Sequence, residues 1–419
     1  MTKLSGPLEY SSLPPLKKQA ASRTPERNLS LDLLKAAAIL MVIFYHNGQL
    51  NPASVIDNLV MLLPSAAVPC FFMASGAVFF HRPFDMQKHL RRILRFYLTV
   101  VAWKAVYLIL YRYWGAPADG SLRNLLSYLF LFQHLDGVGT AHFWFMDAML
   151  TVMLAAPVLY LCYHVRDNEE TQPGRQGTVH SVRAHMHTAH THTHAHELLP
   201  GHSQLLLFLL AVLVLFNQFP AAGNLLAGLL ARIIGKPEWN LSPLGEINPF
   251  SFRYSNYFTY YLLGALLIEY KETISARAAA ALTLLGTAGL LCIKYIQTGS
   301  FCWNGVYLES GYYWFSTMLL ASGLFLLATQ HPVREHSGAG WIAKHVGSAT
   351  MGIFYLHVPL IYILSPMIFS RLEAYHSWWL NLAEACLVAG VSLVFVKGFR
   401  MIKTLAAIIP CLPHSPKNN

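Results

Sequence analysis

The stretch Leu31–Leu50, LDLLKAAAILMVIFYHNGQL, decides the fold class. It is apolar over a length that crosses a bilayer, yet it carries Asp32, Lys35 and His46. Helical residues advance about 100° and about 1.5 Å each, so the path from Lys35 to His46 closes three turns to within roughly 20° and rises about 16 Å. Both side chains therefore share one helix face, with Asp32 near the same stripe. Ionisable groups are costly inside hydrocarbon and by default mark a functional path. A cation near one surface, aligned with an imidazole in the opposite half, predicts a reaction channel through the membrane.

The remaining chain extends this pattern. Of 419 residues, 55% are hydrophobic and 12% charged, where a soluble domain carries about 25% charge. The apolar runs have spanning length and are continuous rather than alternating, which argues against a transmembrane β-barrel. The expected fold is an all-α polytopic membrane protein of about ten transmembrane helices: 31–50, 58–80, 93–113, 142–164, 204–220, 256–270, 277–297, 312–330, 345–365 and 378–397. Segment 122–134, LRNLLSYLFLFQH, is too short to span and is expected as an interfacial or re-entrant helix.

With the N-terminus in the cytoplasm, 21 of the 30 Lys and Arg fall in cytoplasmic segments and seven in external ones, with Lys35 and Lys104 inside spans. Basic loops face the cytoplasm in membrane proteins, so both termini are expected there. The net charge of +10 is then a topology signal, and nucleic acid is not needed to explain it. The expected organisation is a disordered cytoplasmic tail, 1–28, a transmembrane domain, 29–400, and a cytoplasmic tail, 401–419. The domain includes a His-rich cytoplasmic loop, 165–203, and an external loop, 221–255. No apolar core for a cleavable signal peptide lies near the start. Cys70, Cys162, Cys292, Cys302, Cys386 and Cys411 are scattered without a CxxC pair and read as packing residues.

Several constellations can carry chemistry. In the first span, His46 suits a general base that takes a proton from an attacking hydroxyl, or a carrier that takes an acyl group itself. The plainer alternative is a histidine bonded to a neighbouring helix, with Lys35 snorkelling to the surface. In VPCFFMASGAVFF, Phe71, Phe72, Ser75 and Gly76 read as a small-residue packing notch, or Ser75 offers its hydroxyl to a substrate or to His46. KHLRRILRFY stacks Lys88, Arg91, Arg92 and Arg95 on one cytoplasmic helix face. Guanidinium forks there suit the phosphates of coenzyme A or, equally, anionic lipid headgroups.

HFWFMDAML carries His142, Trp144 and Asp147. Trp144 fits the interfacial aromatic belt or a platform for a sugar ring, and Asp147, in an apolar run, needs a partner. His357 in MGIFYLHVPLIYI is a secondary candidate beside the simpler reading of a hydrogen-bonded packing residue. His185, His187, His190, His192, His194 and His196 lack fixed ligand spacing and read as linker rather than a metal site.

These motifs, in this order, resemble the membrane-bound acyltransferase family 3, bacterial integral-membrane enzymes that modify surface glycans. The likeness rests on Lys35 and His46 ten residues between, on Asp32 before them, and on FFxxSG at Phe71, Phe72, Ser75 and Gly76. It extends to RxxR at Arg92 and Arg95, WF at Trp144 and Phe145, and the late histidine His357. Lys35 replaces the commoner arginine and Ala36 the usual following glycine. Lysine binds phosphate as a point charge without a bidentate fork.

The resemblance implies transfer of an acyl group, acetyl above all, from acyl-CoA to a hydroxyl of a cell-envelope glycan or lipid-linked sugar in the bacterial inner membrane. Acyl-CoA is then a co-substrate, with no bound cofactor and no metal. It implies catalytic roles for His46, Lys35 and Asp32, and an acyl-CoA site at Lys88, Arg91, Arg92 and Arg95. The acceptor side falls to Ser75, Trp144, Asp147 and His357. A transporter or flippase for a lipid-linked glycan is the competing class, using the same charges to relay protons or hold substrate.

Overall fold

The computed structural model describes residues 27–48, 50–51, 53–115, 121–131, 133, 135, 138–164, 204–235, 254–298, 311–369 and 376–408. The tail before residue 27, the His-rich loop, residues 236–253 of the external loop and the tail from 409 lie outside the described residues. Every regular element among those described is helical. Eight helical segments are long and apolar enough to cross a membrane, and their lengths and composition make this a multi-pass membrane protein.

In chain order, the helices are α1 (Leu29–Asn47), α2 (Val55–Val60), α3 (Ala67–Phe80), α4 (Met86–Tyr113), α5 (Leu122–Phe130), α6 (Trp144–His164) and α7 (Gln204–Ile233). They continue with α8 (Asn256–Glu269), α9 (Ala276–Thr298), α10 (Phe315–Gln330), α11 (Gly338–Ile342), α12 (Thr350–Phe369) and α13 (Trp378–Ile408). Local chemistry sets several ends. The Asn28 side chain accepts from the Leu31 N–H at 3.1 Å to cap α1, and Gly48, at φ 75°, closes it in a conformation that suits glycine. Asp85 caps α4 through the Lys88 N–H at 3.0 Å.

All ten expected spans contain helix, with three departures in form. The second is broken: α2 gives way to a 3-10 turn at Leu63–Ala66, where Pro64 removes a backbone donor, before α3 resumes. The sixth and eighth, α8 and α10, have 14 and 16 residues. At about 1.5 Å per residue they fall short of the roughly 30 Å of hydrocarbon. Buried side chains surround α8 on nearly every side, so it is a core helix of the bundle. Finally, α7 runs on through Pro220 to Ile233 and so extends into the stretch 221–255 expected as an external loop.

Within segment 122–134, Leu122–Phe130 form the helix α5, pinned against the middle of α4. Lys104 Nζ donates to the Tyr128 carbonyl at 3.2 Å, and the Tyr128 hydroxyl donates to the Lys104 carbonyl at 3.1 Å. The exterior is apolar at helical spacing, as with exposed Leu90, Leu94 and Leu98 on α4. Asp32, Lys104, Asp147, Asn217, Gln218 and Glu384 are buried. Polar groups turned inward and apolar ones outward are the distribution that lipid imposes.

α1 threads the bundle, packed by α3, α10, α12, α13 and a π-helical turn at Ala343–Gly347. The notch in α3 is a helix contact. A methyl on Gly76 would stand 1.9 Å from the Tyr261 carbonyl oxygen of α8, and one on Gly264 of α8 would meet the Met73 carbonyl of α3 at 2.1 Å. Two backbones approach this closely only without side chains between them. Gly76→Ala is therefore expected to cost about 1–3 kcal/mol by forcing α3 and α8 apart. Thermal unfolding in detergent would register that loss, and an unchanged midpoint would refute the contact.

Candidate active site

Three helical segments converge on three imidazoles. His46 comes from the last turn of α1, His142 from the 3-10 turn Ala141–Phe143 before α6, and His357 from α12. Ring centroids lie 5.4 Å apart for His46 and His357, 5.3 Å for His142 and His357, and 6.4 Å for His46 and His142. His142 and His357 are buried, whereas His46 keeps an exposed face. Among the described residues, no group of three or more His, Cys, Asp or Glu is arranged to hold a metal ion.

Hydrogen bonding fixes which nitrogens carry protons. The Tyr107 hydroxyl lies 2.9 Å from the Tyr355 carbonyl oxygen and 3.1 Å from His142 Nε2. A carbonyl only accepts, so the one hydroxyl proton of Tyr107 goes to Tyr355, and His142 must donate its Nε2–H to Tyr107. The same logic applies to His357, whose Nδ1 is 2.5 Å from the Phe354 carbonyl oxygen and must be the donor there. Neutral His357 then presents a bare Nε2, and that atom is buried with no hydrogen-bond partner among the described residues. The opposed tautomers place an unsatisfied acceptor beside His46.

Below this cluster lies a buried charge pair. Lys104 is one turn from Tyr107 on α4 and only 2% exposed; Asp147 is 6% exposed and close enough to act on Lys104 electrostatically. Asp147 thus has the neighbour its apolar setting requires, and Lys104 also sits over the Tyr128 ring at 5.5 Å. Lys104 is legible in the sequence by the rule that singles out Lys35. Tyr107, Tyr355 and Phe354 carry no such signal, because what marks them is a contact between distant segments. His142 sits beside Trp144 in the quoted motif, but only its fold partners set it apart.

Trp144 belongs to an aromatic panel. It stacks on Tyr257 at 5.6 Å and 29°, and its ring lies 5.4 Å from that of Tyr312. Phe145 joins the panel to the histidines, since its ring lies 5.2 Å from that of Phe354, which in turn lies 5.3 Å from His357. Ser75 is half-buried on α3, beside the Gly76 contact, and among the described residues it makes no hydrogen bond to His46.

Asp32 and Lys35 stay at the opposite end of α1. Lys35 Nζ pairs with Asp32 at 2.6 Å, Arg27 pairs with the other Asp32 oxygen, and Arg27 also donates to the Ala343 carbonyl at 3.1 Å. Sharing a helix face with His46 does not bring Lys35 to it, because the axial separation remains about 16 Å. Lys88, Arg91, Arg92 and Arg95 are exposed at the start of α4. Lys88 pairs with Asp85 at 3.2 Å, and Arg92 acts electrostatically on Tyr261 of α8. From Arg92 to Tyr107, which holds His142, is about 22 Å along α4.

The sequence profile of the acyltransferase domain, acyltransferase family 3, matches residues 28–397. The chain belongs to this family. No curated protein and no solved structure matches it.

Tyr107→Phe deletes one hydroxyl from two buried partners and leaves His142 Nε2–H and the Tyr355 carbonyl unpaired. The expected loss is about 1–3 kcal/mol. Chemical denaturation in detergent measures it; wild-type stability would mean that Tyr107 does not hold His142.

Proposed function

We propose that this acyltransferase moves an acyl group, acetyl above all, from acyl-CoA to a hydroxyl of a cell-envelope glycan or lipid-linked sugar in the bacterial inner membrane. The observation that carries the reading is the exposed His46 backed by two buried histidines of opposed tautomer. When His46 turns a ring N–H onto the bare Nε2 of His357, which has no partner among the described residues at rest, its other nitrogen is left free to accept a proton. The acceptor hydroxyl gives its proton to that nitrogen as its oxygen bonds to the thioester carbonyl carbon. The carbon–sulfur bond then breaks, and the proton passes from His46 to the departing thiolate, giving acyl ester and free CoA. The same imidazole can instead take the acyl group and pass it on.

Arg91, Arg92 and Arg95 make no side-chain hydrogen bond or ion pair among the described residues, which supports them as phosphate ligands for the nucleotide part of acyl-CoA. Lys88, already paired with Asp85, adds positive potential. About 22 Å of α4 then separates the phosphates from the histidines, a gap for the thioester-bearing arm to cover. The Asp32–Lys35 pair holds charge at the cytoplasmic end of α1, beside that path. With this orientation both chain termini face the cytoplasm and the acceptor meets His46 from the other side. Trp144 and Ser75 are assigned to the acceptor, and the Asp147–Lys104 pair lies about one turn of α4 to the cytoplasmic side of the histidines.

His46→Ala in membranes supplied with labelled acetyl-CoA is expected to lose at least about 10²-fold in acyl transfer. Undiminished transfer would remove His46 from the chemistry. Replacing Arg92 and Arg95 together by Ala is expected to raise KM for acetyl-CoA about tenfold or more with a smaller effect on kcat, since those contacts bind ground and transition states alike. A fall in kcat alone would place them elsewhere in the reaction.

A further inference from the structure

Two cations near the end of α13 have no part in the chemistry described. Lys397 and Arg400 are exposed, lie one turn apart, and both reach the segment that carries α11 and the π-helical turn. Lys397 Nζ stands 5.7 Å from the centre of the Trp341 ring of α11, and Arg400 donates to the Ser348 carbonyl, just past the turn, at 2.8 Å. His345 meets the Trp341 ring edge-on at 4.8 Å. Lys397 makes no hydrogen bond or ion pair among the described residues. The carboxylates of the residues packed on this segment are committed, Glu335 to Lys344 and Asp32 to Arg27 and Lys35. What surrounds the cations is apolar and open: Trp341 is 53% exposed, and Ile342 beside it is exposed too. On α13, Leu387 and Val394, seven residues apart, form an exposed stripe that reaches within one turn of Lys397 from the middle of the span.

We propose that Lys397, Arg400 and Trp341 hold the headgroup of an anionic bilayer phospholipid, such as phosphatidylglycerol, with an acyl chain along Val394 and Leu387. A guanidinium and an ammonium one turn apart suit a single phosphate, and basic groups at a membrane surface attract anionic lipid. Tryptophan prefers the level of the headgroups, which puts the cations at phosphate depth. The stripe then lies deeper than the cations, as acyl chains lie deeper than the phosphate they hang from. A soluble phosphate compound would leave that stripe unused, and a zwitterionic lipid would bring its own cation against the pair. The position also matters for α1. Arg27 donates to the Ala343 carbonyl of the π-helical turn, and Gly347 of that turn packs directly on the Asp32 carbonyl. A headgroup bridging α13 to this segment therefore braces the seat of α1. The site is independent of the acyltransfer reading.

The test uses the full chain in detergent supplemented with phosphatidylglycerol or phosphatidylcholine, with retained lipid read by native mass spectrometry and unfolding by heating. Wild type is expected to retain phosphatidylglycerol in preference to phosphatidylcholine and to unfold at a higher temperature with it. Lys397→Gln combined with Arg400→Gln is expected to weaken phosphatidylglycerol binding about tenfold or more and to erase that rise, while keeping the wild-type midpoint in phosphatidylcholine. If the midpoint falls there as well, because Arg400 also holds Ser348, Lys397→Gln alone decides. It breaks no hydrogen bond, and its expected weakening is about fivefold. Undiminished phosphatidylglycerol binding by Lys397→Gln would overturn the site. So would an equal loss on Lys271→Gln combined with Arg277→Gln, which removes the same charge from the α8–α9 connection, because the attraction would then be general. Displacement of the lipid by coenzyme A would also overturn it, marking a site for a soluble phosphate.

Discussion

A polar group inside a bilayer has no water to bond, so whatever hydrogen bonds it makes must come from the protein itself. That constraint explains the two ends of α1. At one, Asp32 is held by Lys35 and Arg27, while Arg27 reaches the carbonyls of the π-helical turn. At the other, Asn47 donates to the Asn381 carbonyl at 3.0 Å, and Asn381 donates back to the Phe44 carbonyl at 2.6 Å. His46 is therefore carried on a helix anchored at both ends. Its neighbours are equally fixed, His142 by Tyr107 and His357 by Phe354.

Against that background, the exceptions carry the chemistry. Among the described residues, His357 Nε2 is an acceptor without a donor, set beside the one imidazole of the three that remains open. The arginines at the start of α4 are cations without protein acceptors among the described residues. Among the described residues, His357 Nε2 and these arginines are thus groups that the fold leaves unsatisfied, at two depths of one bundle.

Apolar run length was enough to locate helices in all ten expected spans, because that signal is local. Their form was less legible. Apolar composition alone does not distinguish α8, a helix buried on nearly every side, from a lipid-spanning one, and Pro64 breaks the second span inside an otherwise apolar run. In the site, helical periodicity put Lys35 and His46 on one face, but a shared face is not contact across about 16 Å. Gly76 was readable as a packing notch, and the α3–α8 contact is that notch. Tyr107, Tyr355 and Phe354 stayed hidden because their meaning lies in hydrogen bonds between segments far apart in the chain.

The account turns on the proton positions of the two buried histidines. Site-resolved nitrogen-15 NMR of histidine-labelled protein in bilayers reads them directly, with His142→Gln and His357→Gln variants for assignment. His357 is expected to show a protonated Nδ1 with a bare Nε2, and His142 a protonated Nε2. Finding the proton of His357 on Nε2 would contradict the account, because His46 would then face a donor and lose the acceptor that orients it as a base.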